Sequence, residues 1–233
     1  ITVFRELKEK GYKPVGVRLD SGDLAYLTKE TRRVLDEAGF PEAKIFVSGD
    51  LDEYTIESLY IQGAKIDVYG VGTRLITSHS NPSLGGVYKI AEFDGRPKLK
   101  ISDNAAKITT PGEKEIYRIY DGATKMAVAD LICLKDEKID FTAPLTLTHP
   151  TDRWKKLTLT DYFVRPLLVD AMKNGEDILE RKSVTELRSR CNAGLNEFWS
   201  EYKRLDKPQI YKVDLSDELY NLKQELLAKG GKK

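Results

Sequence analysis

The sequence predicts an α/β fold: part of a βα barrel first, then an antiparallel β-hairpin region, then C-terminal helices. Three observations predict it. Strand-like and helix-like segments alternate over residues 1–80, two Asp-Gly turn signals follow between β-prone runs, and helical periodicity returns after Pro150. The expected segments are 1–85 for the partial barrel with its strand-end site, 86–150 for the hairpins and 151–233 for the helices.

Ile1, Phe4 and Leu7 sit at helical spacing and Gly11 is a helix terminator. This first helix has neither cap nor leader, so it reads as one cut from a longer chain, and its charges rule out a signal peptide. Pro14 to Leu19 is a short buried strand ending at Asp20. Leu24, Leu27, Thr28, Thr31, Val34, Leu35 and Ala38 then recur at helical spacing up to Gly39. Lys44 to Val47 is a second strand, ending at Ser48-Gly49-Asp50. Asp52 is placed as the N-cap of the next helix, with Leu51 and Ile56 as a hydrophobic staple and Gly63 as the stop. A third strand, Lys65 to Tyr69, runs into Gly70-Val71-Gly72-Thr73. Strands separated by helices pair in parallel. A closed barrel takes roughly 250 residues, so three units need strands from outside this chain; a small open three-stranded sheet is the alternative.

Val87–Ile90 and Lys98–Ile101 flank Asp94-Gly95, and Ile116–Tyr120 and Met126–Leu134 flank Asp121-Gly122; both read as hairpins. Helices are expected around 161–174, 183–205 and 216–229. Composition excludes several function classes. Lys plus Arg total 38 against 37 for Asp plus Glu, a net charge of +1 that suggests no nucleic-acid or membrane-surface partner. The longest apolar run, Ala127–Leu134, contains Asp130 and falls short of the roughly 20 residues that span a bilayer. Cys133 and Cys191 lie apart from each other and from any histidine cluster, which argues against zinc or a disulfide framework. Both are expected to be small buried hydrophobes in a reducing cytosol.

The polar residues cluster where a βα fold places its chemistry, at the C-terminal strand ends. The first cluster is Arg18 with Asp20-Ser21-Gly22-Asp23, the second Ser48-Gly49-Asp50, the third Gly70-Val71-Gly72-Thr73. Arg18 and Asp20 are two apart and share a strand face. An arginine beside a carboxylate can grip phosphate oxygens and ribose hydroxyls together, and the glycines let a phosphate approach backbone N–H groups. Each cluster has a plainer reading: Ser21 or Asp23 as a helix cap, Ser48–Asp50 as a turn, and the lone GxG as a turn. The GxG is not a dinucleotide fingerprint, since the third glycine is absent. Occurrence at three consecutive strand ends is what favours a site. Neither His79 nor His149 has a Ser, Cys or carboxylate placed to make a nucleophile–base pair, and both read as loop residues.

The stretches GVRLDSGDLAYLTKETRRVLDEAGF, VSGDLDEYTIESL and GAKIDVYGVGTRLITS together resemble the phosphoribosyltransferase core of nicotinate phosphoribosyltransferases. NPSLGGVYKI and YKVDLSDELYNLKQELL are similar to that family's C-terminal region. The resemblance implies an irregular barrel of the type II phosphoribosyltransferase kind, a β-rich accessory domain, a cytoplasmic enzyme and a homodimer. It implies the conversion of nicotinate and phosphoribosyl diphosphate to nicotinate mononucleotide and pyrophosphate, with ATP as co-substrate and Mg²⁺ whose ligands are unassigned. Carried over by position, Arg18 and Asp20 would line the phosphoribosyl site, with Asp20 on the ribose hydroxyls. Gly49 and Asp50 would lie beside them, and Gly72 and Thr73 would hold the 5′-phosphate. Ser21, Ser48 and Gly70 complete the candidate set. The family's phospho-acceptor histidine and its pyridine-stacking residues lie upstream of the first of these stretches. No catalytic residue is therefore assigned within this chain, and the chain alone is expected to have no turnover. A nicotinamide-using relative and a catalytically inactive binding or dimerisation module are the alternatives. A partial barrel also exposes a strand edge, which favours an oligomer.

Overall fold

A computed structural model of the chain describes residues 1–104 and 107–230. The chain divides into two compact units, Ile1–Gly86 and Val87–Lys233. The first unit runs α1 (Thr2–Glu9), β1 (Gly16–Leu19), α2 (Leu24–Glu37), β2 (Lys44–Ser48), α3 (Glu53–Ile61), β3 (Val68–Gly70) and α4 (Thr73–Ile76). The three strands form one parallel sheet in the order β1-β2-β3. The caps are local. Asp23 accepts from the Tyr26 N–H at 3.0 Å and Asp52 from the Thr55 N–H at 2.8 Å, each satisfying an orphan donor of the helix it starts.

Central β2 turns Ile45 and Val47 into a core formed with Phe4, Ala25, Leu35, Leu51 and Leu59. Phe4 meets Phe40 edge to face, with ring centroids 5.2 Å apart. Buried Thr28 donates to the Leu24 carbonyl and accepts from the Lys65 N–H, tying α2 to the segment before β3. The third strand is shorter than the expected 65–69 and begins at Val68. The Asp67 carboxylate accepts from the Ile45 N–H at 2.8 Å, so a side chain occupies the place of a ladder partner there.

The second unit contains β4 (Glu92–Phe93), β5 (Arg96–Pro97), β6 (Lys114–Asp121), β7 (Ala127–Leu134), β8 (Leu145–Thr148), β9 (Lys156–Leu159), β10 (Tyr162–Pro166), β11 (Met172–Lys173) and β12 (Glu176–Asp177). These are followed by α5 (Val184–Asn196), β13 (Lys212–Leu215) and α6 (Asp217–Gly230). Its main sheet is mixed, in the order β10-β6-β7-β13, with only the β7–β13 pair parallel. Ile119, Ala129, Leu131 and Leu147 form its core. On the opposite face, Arg118 grips Asp130 across the strands through two hydrogen bonds of 2.9 and 3.0 Å, and the Tyr211 hydroxyl donates to the same carboxylate at 3.0 Å. Glu197 takes both Arg165 N–H groups and the Tyr120 hydroxyl.

Several expectations are corrected here. The segment 151–233 holds α5 and α6 but is not helical throughout, because its β10 and β13 join β6 and β7 in one sheet. The helix expected around 161–174 is instead β10 and β11. Tyr162 to Pro166 pairs antiparallel with β6, and tertiary pairing outweighs local propensity. The helix expected over 183–205 ends at Asn196 and is followed by a 3₁₀ turn, Ser200–Tyr202. The Asp94-Gly95 turn forms, but its ladder is only Glu92–Phe93 with Arg96–Pro97, followed by one further hydrogen bond from the Lys98 N–H to the Ala91 carbonyl. Cys133 is buried on β7, and burial pushes its thiol up to about 11. Cys191 is exposed, on a helix that buries no side chain. No helix among the described residues is long and apolar enough to cross a membrane.

Candidate functional site

Parallel strands end at the same side of their sheet, so the chain segments after β1, β2 and β3 are neighbours. They enclose a cleft of about 250 Å³ lined by Arg18, Asp20, Ser48, Gly49, Asp50, Leu51, Gly70, Gly72, Thr73 and Arg74. Eight of the nine candidate residues meet there. The ninth, Ser21, is exposed in the turn beyond Asp20 and is not part of the lining. Asp23, weighed as a cap, is one.

Alternation along β1 sends Val17 and Leu19 towards the core and leaves Arg18 on the cleft side. Its guanidinium donates from Nη2 to Asp20 Oδ1 at 2.6 Å and from Nε to Ser48 Oγ at 2.8 Å. The Ser48 hydroxyl in turn donates to Asp20 Oδ1. The Ser48 hydrogen bond first, and the Arg18 charge second, hold the Asp20 carboxyl below its ordinary 3.8. Asp20 is therefore ionised at neutral pH, fixed in direction, and still has Oδ2 to offer a ligand. This triad crosses from β1 to β2, so the sheet register positions it: Arg18 pairs with Phe46, two residues before Ser48.

Gly49 is required where β2 ends. Its φ is +102°, and a Cβ there would lie 2.2 Å from the Asp20 carbonyl oxygen. Only glycine lets the two strand ends approach this closely. Asp50 follows, also with positive φ at 45°. Gly70 closes β3, and Gly72 and Thr73 lead into α4. His149 packs its own loop, its Nδ1 taking the Asp152 N–H at 3.0 Å. His79 lines a separate cavity of about 480 Å³ that includes Asp52, Tyr54, Val71, Arg74 and Leu75.

Sequence reasoning did not place Arg74 or Leu51 in the site, and Leu51 entered that reasoning only as a hydrophobic staple. Leu51 lines the cleft as part of the core. Arg74 was detectable as a cation directly after the glycine-rich turn, although an exposed arginine on a helix is common enough to pass unremarked. Among the described residues no group of three or more His, Cys, Asp or Glu could hold a metal ion. Asp20 and Asp50 put two carboxylates on one cleft, and Mg²⁺ takes one or two when waters and a ligand's phosphates supply the rest.

Residues 113–223 match the family model described as the nicotinate phosphoribosyltransferase C-terminal domain. The chain is 41% identical over 215 residues to a nicotinate phosphoribosyltransferase of Bacillus subtilis, covering 91% of this chain and 44% of the relative. It is 33% identical to one from Dictyostelium discoideum, covering 95% of this chain and 40% of the relative. The crystal structure of human nicotinic acid phosphoribosyltransferase superposes with a TM-score of 0.72 at 29% identity, over 93% of this chain and 41% of that one. The chain thus spans less than half the length of these relatives.

Proposed function

We propose that this chain belongs to the nicotinate phosphoribosyltransferase family and supplies the phosphoribosyl-binding part of that family's active site. The reaction is the transfer of a phosphoribosyl group from its diphosphate to nicotinate, giving nicotinate mononucleotide and pyrophosphate in NAD salvage. The observation that carries this reading is the meeting of three consecutive strand ends in one polar cleft. Asp20, held by Arg18 and Ser48, is a rigid anionic acceptor suited to ribose hydroxyls. The turn at Gly70–Thr73 lies two strands away, on the order of 10 Å at ordinary strand spacing. That is close to the reach of a ribose 5-phosphate with partners at both ends.

The transfer builds positive charge on the ribose ring as the diphosphate departs. Asp20, held by Arg18 and Ser48, would face that charge from a fixed position with Asp50 beside it, which favours the transition state over the ground state. Asp20 and Asp50 would hold a Mg²⁺ together with the diphosphate, and the ion would supply positive charge to the leaving group. The same reading carries ATP coupling, a homodimer and a cytoplasmic location. It also has β1–β3 as part of an irregular barrel of the kind the resemblance implies, and assigns the phospho-acceptor role to neither His79 nor His149.

The test is calorimetric titration of nicotinate mononucleotide with Mg²⁺ into the chain and into Asp20→Ala, after circular dichroism shows both folded. Saturable binding that the substitution abolishes is expected. A folded wild-type chain that does not bind, or an Asp20→Ala variant that binds as well, would overturn the reading.

A further inference from the structure

Two cavities of the first unit share one charged side chain. The cleft of about 250 Å³ and the larger one of about 480 Å³ both have Arg74 in their walls. The ionisable side chains lining the smaller cleft are Arg18, Asp20, Asp50 and Arg74. Arg18 is matched inside the protein, since its guanidinium points at Asp20 and Ser48. Without Arg74 the wall would therefore carry a net negative charge and repel a phosphate. Arg74 makes no ion pair among the described residues. Asp52 feels its charge only at longer range, because that carboxylate is turned to the Thr55 N–H as a helix cap.

We infer that Arg74 is the cation that receives the phosphate of a phosphoribosyl ligand in this cleft, and that it sets the preference for phosphorylated over unphosphorylated ligands. The inference rests on the phosphoribosyl reading above and deepens it. A guanidinium offers a phosphate two parallel donors in a fixed plane, a geometry an ammonium lacks. Arg74 follows β3 and Asp20 follows β1, so ribose and phosphate would be gripped from opposite ends of the cleft. Because Arg74 is exposed and unpaired, it can turn to the ligand without breaking an existing contact.

The experiment titrates nicotinate mononucleotide and, separately, nicotinate riboside into wild type, Arg74→Gln and Arg74→Lys. Arg74→Gln is expected to weaken the mononucleotide roughly 10- to 100-fold, the worth of a lost hydrogen-bonded charge contact. It should leave the riboside unchanged, and Arg74→Lys should recover part of the loss. Inorganic phosphate should compete with the mononucleotide in wild type and much less in Arg74→Gln. Equal mononucleotide affinity in wild type and Arg74→Gln would overturn the inference while leaving the phosphoribosyl reading standing. So would equal weakening of both ligands, which marks a packing effect. A folded wild-type chain that binds neither ligand would overturn both.

Discussion

Replacing Gly49 by alanine tests the geometry on which the cleft depends. Two costs combine. A φ of +102° is a conformation that a residue with a Cβ adopts at about 1–3 kcal/mol. The new Cβ would also start 2.2 Å from the Asp20 carbonyl oxygen, with the Asp20 carbonyl carbon at 3.2 Å. Relief requires the two strand ends to separate by well over ~1 Å to reach ordinary van der Waals distance, and overpacking of that kind costs about 1–3 kcal/mol. The total is about 2–6 kcal/mol. Gly39 is the control, because its φ of +82° is similarly unusual but nothing lies within 4 Å of a Cβ built there. Gly39→Ala should therefore cost only the backbone part, about 1–3 kcal/mol, and less than Gly49→Ala. Urea unfolding followed by far-UV circular dichroism measures both variants. A second readout is mononucleotide binding under conditions where Gly49→Ala is still folded. It should be lost, since moving the Asp20 carbonyl moves its carboxylate away from Ser48. Equal destabilisation by the two substitutions would refute the argument, because it would mean that β2 does not end against Asp20 as described.

Two further outcomes are expected. In an NMR titration, the Asp20 carboxyl should have its midpoint below 3.8, and Ser48→Ala should raise it towards that value. Its contribution to stability is present above the unfolded-state pKa and is lost as pH falls through the lower folded-state value; an unchanged midpoint in Ser48→Ala would contradict the assigned cause. In the second unit, Arg118→Leu leaves buried Asp130 without its guanidinium and should cost about 3 kcal/mol by thermal unfolding, whereas Arg118→Leu with Asp130→Leu should cost less than Arg118→Leu alone. A double variant less stable than Arg118→Leu would count against that account.

The first unit was largely legible because its signals are local. Asp23 and Asp52 cap where a carboxylate before a helical run should, and the apolar spacing of α2 alone gives its buried face. Arg18 and Asp20 were readable as sharing a strand face, but Ser48 as the residue binding them together required the register of β1 against β2. The second unit was less legible because its strands are short and their partners distant. Leu167, Leu168 and Val169 after Tyr162-Phe163-Val164 mimic a helical stripe, and only pairing with β6 makes the first part a strand. One missed signal was local. Asn174-Gly175, both at positive φ, is the two-residue turn that joins β11 to β12, and it should have argued against a helix through 174. Cys191 was misplaced because helical periodicity indicates a face without saying whether anything covers it.

The parallel partnership of β7 with β13 sets an order of events during synthesis. Every side chain of the cleft lies between Arg18 and Arg74, so the ribosome has delivered the whole of it before the first residue of β6 appears. The mixed sheet has the reverse history. β6 and β7 emerge together and can pair at once, but one flank of β7 stays open until Lys212–Leu215 arrives, after β8 to β12 and α5 have been made. During that interval the unpaired N–H and C=O groups of an apolar strand are available to any other extended chain. A nascent chain stalled before Lys212 would thus carry its ligand-facing residues intact and still be a substrate for chaperones and proteases.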